Sequence, residues 1–121
     1  MTLDSKVVLI TGASRGIGRA LAVGFAGERA TVVASARTLQ PGAGSAEGSL
    51  EEVVNQIESA GGKAIAVACD VAEEGEVTAL VEQTLSKVGQ IDVLINNAGI
   101  ELGGPIPEFT GAEFERVLKV N

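Results

Sequence analysis

Three glycines set between a β-branched run and an amphipathic stripe constrain this chain more than any other feature. Lys6 to Thr11 reads as a strand, Ile17, Ala20, Leu21 and Phe25 recur at helical spacing, and Thr11-Gly12-Ala13-Ser14-Arg15-Gly16-Ile17-Gly18 joins the two. Gly12 permits a tight turn, Gly16 lets the backbone approach a ligand, and Gly18 lets helix and strand pack closely. In isolation such glycines are as compatible with a bare turn as with a binding site. Between a strand and a helix they point to a pyrophosphate held on the free N–H groups of the helix N-terminus.

The remaining chain repeats the strand-then-helix alternation. Thr31 to Ser35 is a second strand, Lys63 to Ala68 a third and Asp92 to Ile95 a fourth. The second helix starts at the capping pair Ser49 and Glu52 and carries Leu50, Val53, Val54 and Ile57. Gly61-Gly62 ends it. The third is striped by Val77, Leu80, Val81, Leu85 and Val88 and stops at Gly89. A fourth begins at the capping pair Thr110 and Glu113, with Phe114, Val117 and Leu118 expected to face inward. Asn121 extends that spacing and is either a frayed end or a placed functional group. Loops are expected from Arg37 to Gly48 and through Gly103, Gly104, Pro105 and Pro107. The pattern predicts an α/β fold: a Rossmann-type, doubly wound parallel sheet with helices on both faces, truncated after about four strands.

Composition narrows the function. A net charge of −7, from 9 basic against 16 acidic residues, argues against a nucleic-acid or anionic-membrane surface. No apolar run reaches the roughly 18 residues of a membrane span, and Met1-Thr2-Leu3-Asp4-Ser5 lacks the features of a signal peptide, so a soluble cytoplasmic protein is expected. Cys69 is the only cysteine and reads as a small buried thiol. There is no His, Tyr or Trp, which removes the commonest metal ligand and general base and any phenolic acid, and no metal site is expected.

Thr11 to Gly18, Cys69-Asp70-Val71 and Asn96-Asn97-Ala98-Gly99, in that order, resemble the motifs of the classical short-chain dehydrogenase/reductase family across the whole chain. The resemblance implies a nicotinamide-dinucleotide oxidoreductase. It would set Gly12, Ser14, Arg15, Gly16, Ile17 and Gly18 around the pyrophosphate, Asp70 and Val71 beside the adenine, and Asn97, Ala98 and Gly99 at the ribose. Asn121 falls on the asparagine of the family's Asn-Ser-Tyr-Lys tetrad, where it would hold a water in the proton relay. The family's serine, tyrosine and lysine lie downstream of that position. The resemblance further implies a homo-oligomer in the complete protein.

The choice of cofactor can be read at the end of the second strand. NAD-selective sites carry a carboxylate there, roughly 20 residues past the glycines. This chain has Ala34-Ser35-Ala36-Arg37 instead. A guanidinium suits a 2′-phosphate, and Arg15 adds a second charge in the turn, so NADP is expected over NAD. As lone charges, both arginines also fit a solvated surface.

Residues 1–121 are thus expected to form one NAD(P)-binding domain, the N-terminal portion of an NADP-dependent reductase or dehydrogenase acting on a small carbonyl or alcohol. Lacking the catalytic Tyr and Lys, the chain alone is expected to be inactive. The alternatives are a non-catalytic dinucleotide-binding module or sensor and, more remotely, a methyltransferase, which would need neither the Asn-Asn-Ala-Gly segment nor Arg37.

Overall fold

A computed structural model of the chain describes residues 3–37, 48–99 and 110–121. It contains β1 (Val7–Thr11), α1 (Gly16–Gly27), β2 (Thr31–Ala36), α2 (Leu50–Ser59), β3 (Lys63–Ala68), α3 (Glu74–Val88), β4 (Val93–Ile95) and α4 (Gly111–Val120). The strands pair in parallel in the order β3-β2-β1-β4. The chain winds outward from β1 through β2 to β3 and then crosses back to lay β4 on the other side of β1. Strand order therefore reverses at β1, where a doubly wound sheet opens a crevice at its carboxyl edge.

Every residue of β1 is buried, as a central parallel strand covered on both faces must be. Alternation sends its side chains to two cores. Val8 and Ile10 join Val32 and Ala34 under α1 and α2, which contribute Ala22, Ala26, Leu50, Val53 and Ile57. Val7 and Leu9 join Val33 and Val67 under α3, which contributes Leu80 and Val88. Ser49 caps α2, accepting from Glu52 N–H at 3.3 Å. Thr110 and Glu113 make a reciprocal capping box on α4.

The buried faces of three helices differ from the stripes expected. On α1 the buried residues are Gly18, Ala22 and Ala26, with Leu21 and Phe25 partly buried beside them; Ile17 is 73% exposed and Ala20 is exposed. Small residues let α1 lie close to the sheet, whereas the expected stripe followed side-chain size. On α3, Leu80 and Thr84 are buried, and the Thr84 hydroxyl donates to Leu80 C=O at 2.8 Å. Val77, Val81 and Leu85 stand exposed along the same helix. On α4, Leu118 is 66% exposed and Val117 half-buried, so Leu118 does not face inward as expected. Among the described residues β4 pairs on one side alone, and its Leu94 is exposed.

The strand limits differ by a residue: β1 starts at Val7, β2 runs on to Ala36 opposite Ala68, and β4 starts at Val93. The interior of the loop expected from Arg37 to Gly48, the loop through Gly103, Gly104, Pro105 and Pro107, and the Phe114 side chain lie outside the described residues. Among those described, no helix is long and apolar enough to cross a membrane.

Candidate functional site

The carboxyl ends of the strands enclose an open cleft of about 390 Å³ at the reversal point. The turn after β1 lines it through Gly12, Ser14, Arg15, Gly16 and Ile17, the end of β2 through Ala36 and Arg37, the end of β3 through Cys69, Asp70 and Val71, and the end of β4 through Asn97, Ala98 and Gly99. Of the candidate residues read from the sequence, all but Gly18 and Asn121 lie along this cleft, and Ala36 and Cys69 join them there.

Gly18 is buried where a Cβ would overlap the Gly12 carbonyl oxygen and lie 2.6 Å from Asn97 Nδ2. Its role is the close packing of helix on strand. Gly16 has φ +58°, and a Cβ there would meet nothing within 4 Å, because it would project into open space beside the cleft.

Asn97 and Thr11 knit the ends of β4 and β1 together. Asn97 Nδ2 donates to Thr11 C=O at 3.2 Å and Gly12 C=O at 3.1 Å, while Thr11 Oγ1 accepts from the N–H groups of Asn97 and Ala98, each at 3.1 Å. Asn97 thus braces the turn from the β4 side. Thr11's part in this was missed, although its hydroxyl stands at the strand end where the motif begins.

The start of α1 is electrostatically distinct. Its N-cap is Arg15, with no side-chain hydrogen bond to the first turn and no acidic residue within that turn. The other helices have a capping side chain, acidic residues in the first turn, or both. Among the described residues nothing caps these N–H groups, and with the partial positive charge at the start of α1 they are open to an anion beside the cleft.

Asp70 Oδ1 accepts from Ala72 N–H at 3.0 Å, which fixes the carboxylate at the end of β3 and leaves its second oxygen without a partner among the described residues. Cys69 is buried, as expected; burial, with Glu76 and Asp70 nearby, pushes its thiol pKa up and favours the neutral thiol. Arg15 and Arg37 are exposed at the cleft and form no ion pair among the described residues. Ser35 also borders the cleft, and its hydroxyl is buried without a hydrogen-bond partner among the described residues. The side chain of Asn121 lies against the end of β4, its Oδ1 standing 3.4 Å from where a Cβ on Gly99 would be. Its neighbour Val120 lines the cleft.

The model of the short chain dehydrogenase family matches residues 6–121. The chain is 43% identical over 120 residues to the ketoacyl reductase HetN of Nostoc sp., covering 99% of this chain and 39% of that protein. It is 40% identical over 122 residues to the 7alpha-hydroxysteroid dehydrogenase of Escherichia coli, covering 100% and 44%. Among solved structures, a metagenomic short-chain oxidoreductase in complex with NADP superposes with a TM-score of 0.87 at 36% identity, over 99% of this chain and 51% of the other. A hydroxysteroid dehydrogenase from Escherichia coli gives 0.88 at 37%, over 99% and 47%. The chain thus spans about half, or less, of the length of these relatives.

Proposed function

The chain belongs to the short-chain dehydrogenase family, and from that premise we propose that its cleft binds NADP for an oxidoreductase that interconverts a small ketone and a secondary alcohol. The observation that carries the reading is the start of α1, uncapped and free of acid, opening beside a cleft where Gly16 leaves room for a phosphate. The dinucleotide pyrophosphate fits that polarity and that space. Arg37, at the end of β2 where an NAD site would carry a carboxylate, supports the 2′-phosphorylated cofactor, and Arg15 adds a second cation at the same cleft. The Asp70 oxygen left without a partner among the described residues suits the adenine amino group, with Val71 beside the ring. Asn97, Ala98 and Gly99 supply the wall at the ribose.

A bound nicotinamide cofactor would donate the hydride to the ketone or accept it from the alcohol in this chemistry. The chain's own share is to bind and orient that cofactor, with Asn121 assigned to hold a water of the proton relay. The group that exchanges a proton with the substrate oxygen in this family is a tyrosine, and the chain has neither Tyr nor His. We therefore assign to these 121 residues binding without turnover, and to the whole protein a reductase or dehydrogenase activity.

Titration of the chain with NADP, followed by an NADPH-oxidation assay with ketones and aldehydes, tests both parts. Saturable NADP binding without turnover is expected. Failure to bind would overturn the cofactor reading, and turnover at an enzymatic rate would overturn the division of labour. The same absence of Tyr and His favours a second reading, a cofactor-binding module that never catalyses. Activity of a longer protein containing this sequence would exclude it.

A further inference from the structure

Gly48 ends the connection from β2 to α2, yet it packs on the turn after β1. It has φ +78°, and a Cβ on it would overlap the Ser14 carbonyl oxygen and fall 3.2 Å from both Ser14 C and Arg15 Cβ. Its backbone therefore lies directly on the Ser14–Arg15 peptide. Ser49, the next residue, is fully buried and caps α2. Farther along α2, Gln56 Oε1 accepts from Arg19 Nε at 3.2 Å and Nη2 at 3.0 Å, and Glu52 lies 3.6 Å from the same guanidinium. Among the described residues the start of α1 is thus held to α2 and its approach at two points, of which Gly48 touches the turn lining the cleft.

We infer that Gly48 is a positioning residue that sets the orientation of the Ser14–Arg15 peptide for anion binding. The described residues contain no cis peptide, and a planar trans peptide directs its N–H opposite to its C=O. Because the Ser14 carbonyl lies against Gly48, the Arg15 N–H is directed away from it. A side chain at residue 48 would displace that carbonyl and rotate the peptide, or push the start of α2 off the turn. Either movement misaims a donor at the uncapped start of α1. The inference rests on the proposed reading of the cleft as a dinucleotide site. It adds a determinant outside the glycine motif.

The test is Gly48→Ala, with dissociation constants measured for NADP and for adenosine 2′-monophosphate, which lacks the pyrophosphate. NADP binding is expected to weaken by about tenfold or more, since loss of a hydrogen bond to a charged group costs about 10- to 100-fold in affinity. Binding of adenosine 2′-monophosphate, which draws on Arg37 and makes no pyrophosphate contact, should weaken less than that of NADP. Reversible partial unfolding lowers the apparent affinity for both ligands by the same factor, so a larger loss for NADP separates the two effects. Gly48→Asn, which tolerates positive φ better but still carries a Cβ, should show the same selective loss. Unchanged NADP affinity, equal loss for both ligands, or full recovery with asparagine would overturn the inference while leaving the cofactor reading intact. An unsubstituted chain that bound neither ligand would overturn both.

Discussion

Asn97 and Gly18 face one another beside Gly12: the side-chain nitrogen of Asn97 stands 2.6 Å from the point a Cβ on Gly18 would occupy, so the brace of β4 and the packing of α1 share one space. The same nitrogen donates to Thr11 and Gly12, and anything that displaces it unties the turn from β4.

Gly18→Ala should therefore destabilise the fold by about 1–3 kcal/mol, the usual cost of overpacking, although alanine is the better helix former. Gly24, on the same helix but with open space around its would-be Cβ, makes the control. Gly24→Ala should stabilise by about 0.5–1 kcal/mol. Urea midpoints of the two variants should move in opposite directions, and a shift of the same sign in both would refute the packing role of Gly18.

Gly16 has the reverse character, with free space around it and φ +58°. Gly16→Val should abolish binding of NADP and NAD alike, because the side chain would occupy the space left for the pyrophosphate. The positive φ also strains a β-branched residue, so the folded fraction is measured by thermal melt before titration. A folded Gly16→Val chain that binds NADP as tightly as the parent would contradict the placement of the phosphate.

Much of this site was legible because its residues occupy strand ends, and strand ends follow from periodicity and turn chemistry. Gly12, Arg37, Asp70 and Asn97 are far apart in sequence, yet parallel pairing in the order β3-β2-β1-β4 brings them to one edge. The buried face of α1 was less legible. Periodicity weighted by side-chain size selects Ile17 and Leu21, but the distance between helix and sheet is set by the smallest residues, Gly18, Ala22 and Ala26. The contact of Gly48 with Ser14 had no local signal, since nothing in the spacing of residues 34 positions apart says that their backbones meet.

Asp92 links the starts of β1 and β4. Its Oδ2 accepts from Val7 N–H at 2.8 Å and from Gln90 Nε2 at 2.7 Å, and its own N–H donates to Val7 C=O at 2.9 Å. The Val7 N–H holds the carboxyl below the usual aspartate range; partial desolvation opposes this, and the Gln90 amide and the Lys6 charge add to it. A depressed folded pKa contributes stability that is present above the unfolded value and is lost as pH falls through the folded value. Stability should thus decline below about pH 4. Asp92→Asn, which retains an acceptor but no titrating group, should flatten that limb in urea midpoints measured against pH. An acid limb of equal slope in the two proteins would assign it to other carboxylates.

On the proposed reading, Arg37 decides between the two cofactors. It lies at the cleft beyond the end of β2, exposed and without an ion pair among the described residues, so none of these competes for its guanidinium. A charge-assisted contact to a 2′-phosphate contributes roughly 1.5–3 kcal/mol, and Arg37→Ala should accordingly weaken NADP about 10- to 100-fold. NAD, with a hydroxyl at that position, should bind as before. Exposure makes the effect sensitive to salt, so the NADP preference should shrink as ionic strength rises, and more steeply in the parent than in the variant. Arg37→Lys should recover part of the affinity, because charge is restored without the bidentate fork. Calorimetric titration with both cofactors at two salt concentrations separates these contributions. Equal losses for NADP and NAD would show that Arg37 acts on the part the cofactors share, and Arg15, in the turn itself, would then be the remaining candidate for the 2′-phosphate.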